Sequence, residues 1–265
     1  MNIVQICKDV LIRLTEIDCE RLGGTSKERL IFPNKFPSEV KSKNITEKEL
    51  LNYTRISEQE LRFLFVEQFL KDTCKDFFYS VETPTEKKYR FGKTFEEIIQ
   101  NKNSYKKSAS IDMSVFKRID EKYERILNIE FKHENGDLKN TAKDILKLVR
   151  ETQNGVFIHL LKNTRRDTLC NKGKTGVFDK CLKSFTEFNG DWCETDKSIQ
   201  LIIISLKEKT LIHRKIFKND NLNKIFSFDD NRYGNIKEVN ENEWKIDKIA
   251  KNCVSGIEDN FSMIL

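Results

Sequence analysis

SASIDMSVF (108–116) and RILNIEFKHEN (125–135) are the two stretches that decide the fold. Each alternates apolar and polar residues, the period-two signature of a half-buried strand. The polar segment KRIDEKYER (117–125) between them leaves room for little but a hairpin. With the turn centred on Glu121, antiparallel pairing sets 116 against 126, 114 against 128 and 112 against 130. Ile111, Met113 and Val115 then share a core face with Leu127, Ile129 and Phe131. Asp112 and Ser114 share the opposite face with Asn128, Glu130 and Lys132.

Working outward, Ile3, Cys7, Val10, Leu14 and Ile17 predict an amphipathic helix over 3–22 that Gly23 and Gly24 stop. A polar stretch with Pro33 and Pro37 follows, then a short helical segment near 46–53. Ser57 and Glu60 form a capping-box signature that opens a helix running to about Lys71, with Leu61, Leu64, Phe65 and Phe69 on its apolar face. FFYSVETPT (77–85) reads as a strand ended by Pro84, and 86–107 as a loop with a helical turn around 95–100. Beyond the hairpin, a helix is expected at 139–151 with Ile145, Leu148 and Val149 buried. GVFIHLL (155–161) and QLIIISL (200–206) are apolar enough to be strands covered on both faces. Between them lie a basic loop (162–176) and a helix (178–189), and LIHRKIF (211–217) can pair with the last strand. Helix, three strands, helix, strand, helix, strand is the order of an α/β (α+β) fold, a central mixed β-sheet flanked by helices. One domain is expected over 1–265, with an N-terminal helical extension (1–55), a core (56–206) and a C-terminal extension (207–265).

The composition restricts function. A hydrophobic fraction of 38% supports a sizeable core, and 48 Lys and Arg against 42 Asp and Glu give a formal charge of +6, a mild bias toward polyanions. Seven cysteines without a CxxC pair fit neither a disulfide framework nor a zinc knuckle, and read as reduced thiols. No apolar run reaches the roughly 20 residues of a membrane span, and the N-terminus carries charges inside its apolar pattern. A cytoplasmic protein is expected, acting away from membranes.

Asp112 opposite Glu130 is the pairing with chemical content. Like charges facing each other across a sheet are unfavourable by up to roughly 1 kcal/mol, and a divalent cation turns that cost into a binding site. An acid-x-Lys triplet alone says little, since Glu86…Lys88, Asp120…Lys122, Asp137…Lys139 and Glu243…Lys245 also satisfy it. Only Glu130…Lys132 lies inside an apolar strand pattern.

On Ile111-Asp112, Glu130-Phe131-Lys132 and the order of the elements around them, the chain resembles the PD-(D/E)XK nuclease superfamily over about residues 56–206. Ile111 stands where the motif's name has proline. The resemblance implies a restriction-endonuclease-like core and metal-dependent cleavage of a phosphodiester. Asp112, Glu130 and the Phe131 backbone carbonyl would hold Mg²⁺ or Mn²⁺, and Lys132 would orient or activate the attacking water. It also implies a glutamate from the preceding helix, with Glu60 the first candidate, Glu67 the reserve, and Glu82 of the first strand a further acid. Gln153 and His159 read as structural, and His133 should point to the face opposite Lys132.

Two basic groups could follow a phosphate backbone: Lys87, Lys88, Arg90, Lys93, Lys102, Lys106 and Lys107, interleaved with Tyr89, Phe91 and Tyr105, and the loop bearing Lys162, Arg165, Arg166, Lys172 and Lys174. The expected partner is nucleic acid, DNA ahead of RNA, with a homodimer left open. The competing reading is a non-catalytic nucleic-acid-binding or assembly protein on the same scaffold.

Overall fold

A computed structural model describes residues 1–21, 30, 56–73, 75–104, 106–228 and 234–249. The double glycine at 23–24, the prolines at 33 and 37, the expected helix near 46–53 and Tyr105 fall outside them.

The elements run α1 (Ile3–Arg21), α2 (Glu58–Asp72), β1 (Phe77–Tyr89), α3 (Phe95–Asn101), β2 (Lys107–Ile119), β3 (Lys122–His133), α4 (Leu138–Arg150), β4 (Asn154–Leu161), α5 (Val177–Glu187), β5 (Ser198–Ser205), β6 (Thr210–Phe217), α6 (Leu222–Ile225) and β7 (Lys245–Lys248). Among the described residues seven strands form one sheet in chain order. β1, β2 and β3 are antiparallel, β3, β4 and β5 parallel, and β5, β6 and β7 antiparallel again. The architecture is therefore mixed α/β, a central sheet with helices on both faces.

The parallel steps explain the layering. Each needs a crossover helix, and successive right-handed crossovers that advance in one direction lie on one face. α4 and α5 accordingly share a core with Phe157, Leu161, Ile199, Leu201 and Ile203. α1 and α2 cover the other face, where Ile6, Val10, Leu14, Leu61 and Phe65 meet Met113, Val115, Ile129, Phe131, Ile158 and Ile202. Phe65 and Phe131 meet edge-to-face at 5.3 Å across that interface. Being covered on both sides, β4 and β5 lose the alternation that β2 and β3 keep.

The hairpin register follows expectation from Met113 to Val115 and departs from it near the turn, while the ladder ends at Met113–Ile129, one pair short of the expected 112 against 130. Met113 faces Ile129, Ser114 faces Asn128 and Val115 faces Leu127. A bulge after Val115 then sets Phe116 against Arg125 rather than 126, leaving the turn on Asp120 and Glu121, with Asp120 at φ 46°. The extra residue keeps both Ile126 and Leu127 against the α1–α2 core.

β1 continues through Pro84 to Tyr89, longer than expected. Pro84 is tolerated because β1 is an edge strand, paired with β2 alone among the described residues, and a register shift follows between Pro84 and Lys88. The buried Glu151 carboxylate, just past α4, accepts from the Glu86 and Lys87 backbone at 2.7 and 3.0 Å, and from the Tyr89 hydroxyl at 2.9 Å. That anchor satisfies backbone groups the irregular edge leaves without ladder partners. Residues beyond 218 add α6, β7 and the buried Trp244, whose indole N–H donates to Ile225 O at 2.8 Å.

His159 on β4 is buried, its Nε2 2.5 Å from Glu134 O, and burial lowers its pKa to about 4 from 6.5. A histidine held neutral contributes stability that is complete above pH 6.5 and is lost as pH falls through 4. Urea denaturation should therefore show roughly 3 kcal/mol lost across that window, a slope that His159→Gln flattens.

Candidate active site

β2 and β3 deliver Asp112, Glu130 and Lys132 to the sheet face covered by α4, the face expected from their alternation. The polar face continues below them, where Ser114 donates to Asn128 Oδ1 at 2.8 Å and Asn128 donates to Gln153 at 3.1 Å. Glu130 is almost wholly buried, at 1% exposure. Asp112 and Lys132 are more open.

Each of the three is held by a partner that spacing alone did not supply. Asp112 Oδ2 accepts from the Phe131 backbone N–H at 2.8 Å, and its Oδ1 lies 2.6 Å from Arg62 of α2. Glu130 pairs with Lys147 of α4 at 2.6 Å, and Lys132 pairs with Asp144 of α4 at 2.6 Å. Lys147 also lies 3.1 Å from Asp144 and donates to Ser110 O at 2.9 Å. Glu58 joins at the rim, 3.2 Å from Arg62.

Four carboxylates (Glu58, Asp112, Glu130, Asp144) thus surround three cations (Arg62, Lys132, Lys147). Burial pushes the Glu130 carboxyl well above the usual range; Lys147 opposes the shift, while Asp144 and Asp112 add to it. Burial also raises Glu58, with Lys132 opposing and Asp112 adding. For Lys132 and Lys147 burial favours the neutral amine, but Asp144 and Glu130 outweigh it and keep both ammonium groups charged.

The helix acid facing this cluster is Glu58 rather than Glu60. Glu60 accepts from the Ser57 backbone N–H at 2.8 Å in the capping box. Glu67 lies 2.6 Å from Arg13, away from the cluster. Glu82 stands opposite Asp112 on β1, between the pairs Val81–Met113 and Thr83–Ile111, at φ 47°, and reaches Arg62 at 2.9 Å. A glutamate in the left-handed region costs of order 1 kcal/mol or more, and such outliers gather at functional sites. His133 projects away from Lys132, its pKa lowered to about 4 chiefly by burial.

Sequence reasoning missed Glu58, Arg62, Asp144 and Lys147. A usable signal existed for α4, since Thr141, Asp144, Lys147 and Glu151 recur at helical spacing beside the apolar stripe of Ala142, Ile145, Leu148 and Val149.

The donor set suits a hard divalent cation. It offers oxygens alone, and one cation, the Lys147 ammonium, already sits 2.6 and 3.1 Å from two of the carboxylates. Among the described residues no three His, Cys, Asp or Glu side chains gather closely enough to form a ready-made cage. Mg²⁺ needs no such cage, since it uses one or two carboxylates and keeps several waters.

The loop bearing Lys162, Arg165, Arg166, Lys172 and Lys174 leaves the end of β4, and β3 is parallel to β4, so it emerges at the end of the sheet where Lys132 lies. The Lys162 backbone N–H lies 3.3 Å from Glu134 Oε1, and the other four residues are exposed. Lys106 and Lys107 are exposed at the start of β2. No helix among the described residues is long and apolar enough to cross a membrane. No family model, curated protein or solved structure matches the chain.

Proposed function

We propose that the chain is a metal-dependent phosphodiesterase acting on DNA, with a restriction-endonuclease-like core of the PD-(D/E)XK kind. The observation that carries this reading is the hairpin pairing of Met113 with Ile129, which brings Asp112 beside Glu130 and Lys132 on one covered face. Asp112, Glu130 and the Phe131 backbone carbonyl are the groups that would hold Mg²⁺ or Mn²⁺, which when bound polarises a phosphoryl oxygen and makes its water more acidic.

The remaining work belongs to the chain's own side chains. Lys132, held by Asp144, directs an ammonium at the position where negative charge grows on the phosphate. Lys147 neutralises Glu130 and fixes its rotamer, and Arg62 does the same for Asp112. Glu58, at the rim 3.2 Å from Arg62, would add a further carboxylate beside the metal site. Exposed lysines and arginines at the same end of the sheet supply sequence-independent attraction to the backbone.

The test is cleavage of plasmid and oligonucleotide DNA with Mg²⁺ or Mn²⁺, and its loss with chelator. Retained binding to DNA with no cleavage under any divalent metal would favour the non-catalytic binding protein instead. The helix acids separate cleanly. Glu58→Gln should weaken metal binding by calorimetry with little change in melting, whereas Glu60→Ala should cost about 1 kcal/mol of stability through its cap and leave metal affinity unchanged.

A further inference from the structure

A cavity of about 260 Å³ opens on the α4 side of the sheet where β1 ends and β2 begins, lined by Tyr89, Arg90, Phe91, Lys106, Lys107 and Ser108. Its wall is aromatic. The Tyr89 and Phe91 rings stack at 5.4 Å with 20° between their planes. Tyr89 is buried and pinned through its hydroxyl to Glu151, whereas Phe91, stacked on Tyr89, is half-buried and the more open of the two rings. Lys143 of α4, the neighbour of Asp144, lies 5.6 Å from the Phe91 centroid. Arg90, Lys106 and Lys107 form an exposed cationic rim.

A flat aromatic wall under a ring of cations matches a ligand with a planar base and an attached phosphate. A purely apolar ligand leaves the cations unused, and a duplex keeps its base faces stacked inside. An unstacked nucleotide uses both parts, as single-strand binding surfaces do.

The position relates the cavity to the acid cluster. Lys107 and Asp112 are five residues apart on β2, about 17 Å at the strand rise. At the roughly 3.4 Å rise of a stacked strand the cavity lies at most about five nucleotides from the acids, and fewer where the strand is unstacked. We propose that it is a nucleotide subsite, and that the nucleic acid engaged at Asp112 and Glu130 is single-stranded where it passes Phe91. This rests on the phosphodiesterase reading for its geometry, but binding can be measured without chemistry.

The test is fluorescence anisotropy in chelator at low salt, using labelled oligothymidylate, the same strand with abasic sites, and a blunt hairpin duplex. Phe91→Leu keeps an apolar side chain of similar bulk but removes the ring face, and unchanged melting confirms that the variant is folded. Oligothymidylate binding should weaken about tenfold in Phe91→Leu, with abasic and duplex binding unaffected. The Lys106→Ala/Lys107→Ala double variant should weaken all three ligands and reduce the salt slope by about 1.4 for the single strands and about 1.8 for the duplex. Unchanged oligothymidylate binding in Phe91→Leu, or an equal loss for the duplex, would overturn the subsite. Because metal is absent, that failure is separate from a failure to cleave. A wild type that cleaves while Phe91→Leu binds normally leaves the active site standing without the subsite.

Discussion

Asp112→Asn, Glu130→Gln and Lys132→Met should each lower Mg²⁺-dependent DNA cleavage by about a hundred- to a thousandfold, the scale on which a preorganised charge at the reacting group contributes. Asp112→Asn is the most informative of the three. The substituted amide keeps an oxygen to accept from the Phe131 N–H, and Arg62 keeps Glu58 and Glu82 as partners. The fold therefore survives while a carboxylate charge is lost. Lys132→Met likewise leaves Asp144 paired with Lys147. Full activity in Asp112→Asn would remove the carboxylate pair from the mechanism.

Lys147→Met should produce the largest loss of stability. Glu130 is 1% exposed and its nearest cation is Lys147 at 2.6 Å. Removing one partner of a buried pair costs about 3–5 kcal/mol, because the other charge is left without compensation. For a chain of this size that lowers the melting temperature by about 10 °C. The sign of the pH dependence is fixed by Glu130, whose carboxyl burial already raises. A raised carboxyl favours the protonated folded form, so its contribution is complete below the unfolded pKa and lost as pH rises through the folded one. Without Lys147 the shift grows, and the variant's deficit should be greater at about pH 8 than at about pH 5. Glu130→Gln in the Lys147→Met background should recover most of the loss, since no charge is then stranded. A Lys147→Met protein that melts like the wild type at both pH values would show that the pair does not hold Glu130.

The order of elements and the faces of the hairpin were legible because β2 and β3 have one face in the core and one polar, so a one-residue slip would bury Asp112 and Glu130 among α1 and α2. The bulge at Val115 was not legible. It exchanges one ladder position for the burial of two neighbouring apolar residues, Ile126 and Leu127, and alternation carries no sign of that exchange. The continuation of β1 through Pro84 was hidden for a related reason, because proline is excluded from strand interiors but not from an unpaired edge. Within the candidate site, the strand residues were readable, while the helix residues left only the polar stripe of α4 as a signal. Lys147 and Asp144 look like ordinary surface charges until the crossover after β3 lays α4 over the sheet. Glu60 was the more conspicuous acid on α2 because of its capping motif, and that motif is what occupies it.

The central claim, that Asp112 and Glu130 together hold a divalent cation, is tested most directly by anomalous diffraction from crystals soaked in Mn²⁺. The account predicts a single strong peak at bonding distance from carboxylate oxygens of both residues, absent in Asp112→Asn, with Lys147 moved off Glu130. Data from well-soaked crystals with no peak between the two carboxylates, and Lys147 still paired with Glu130, would contradict it.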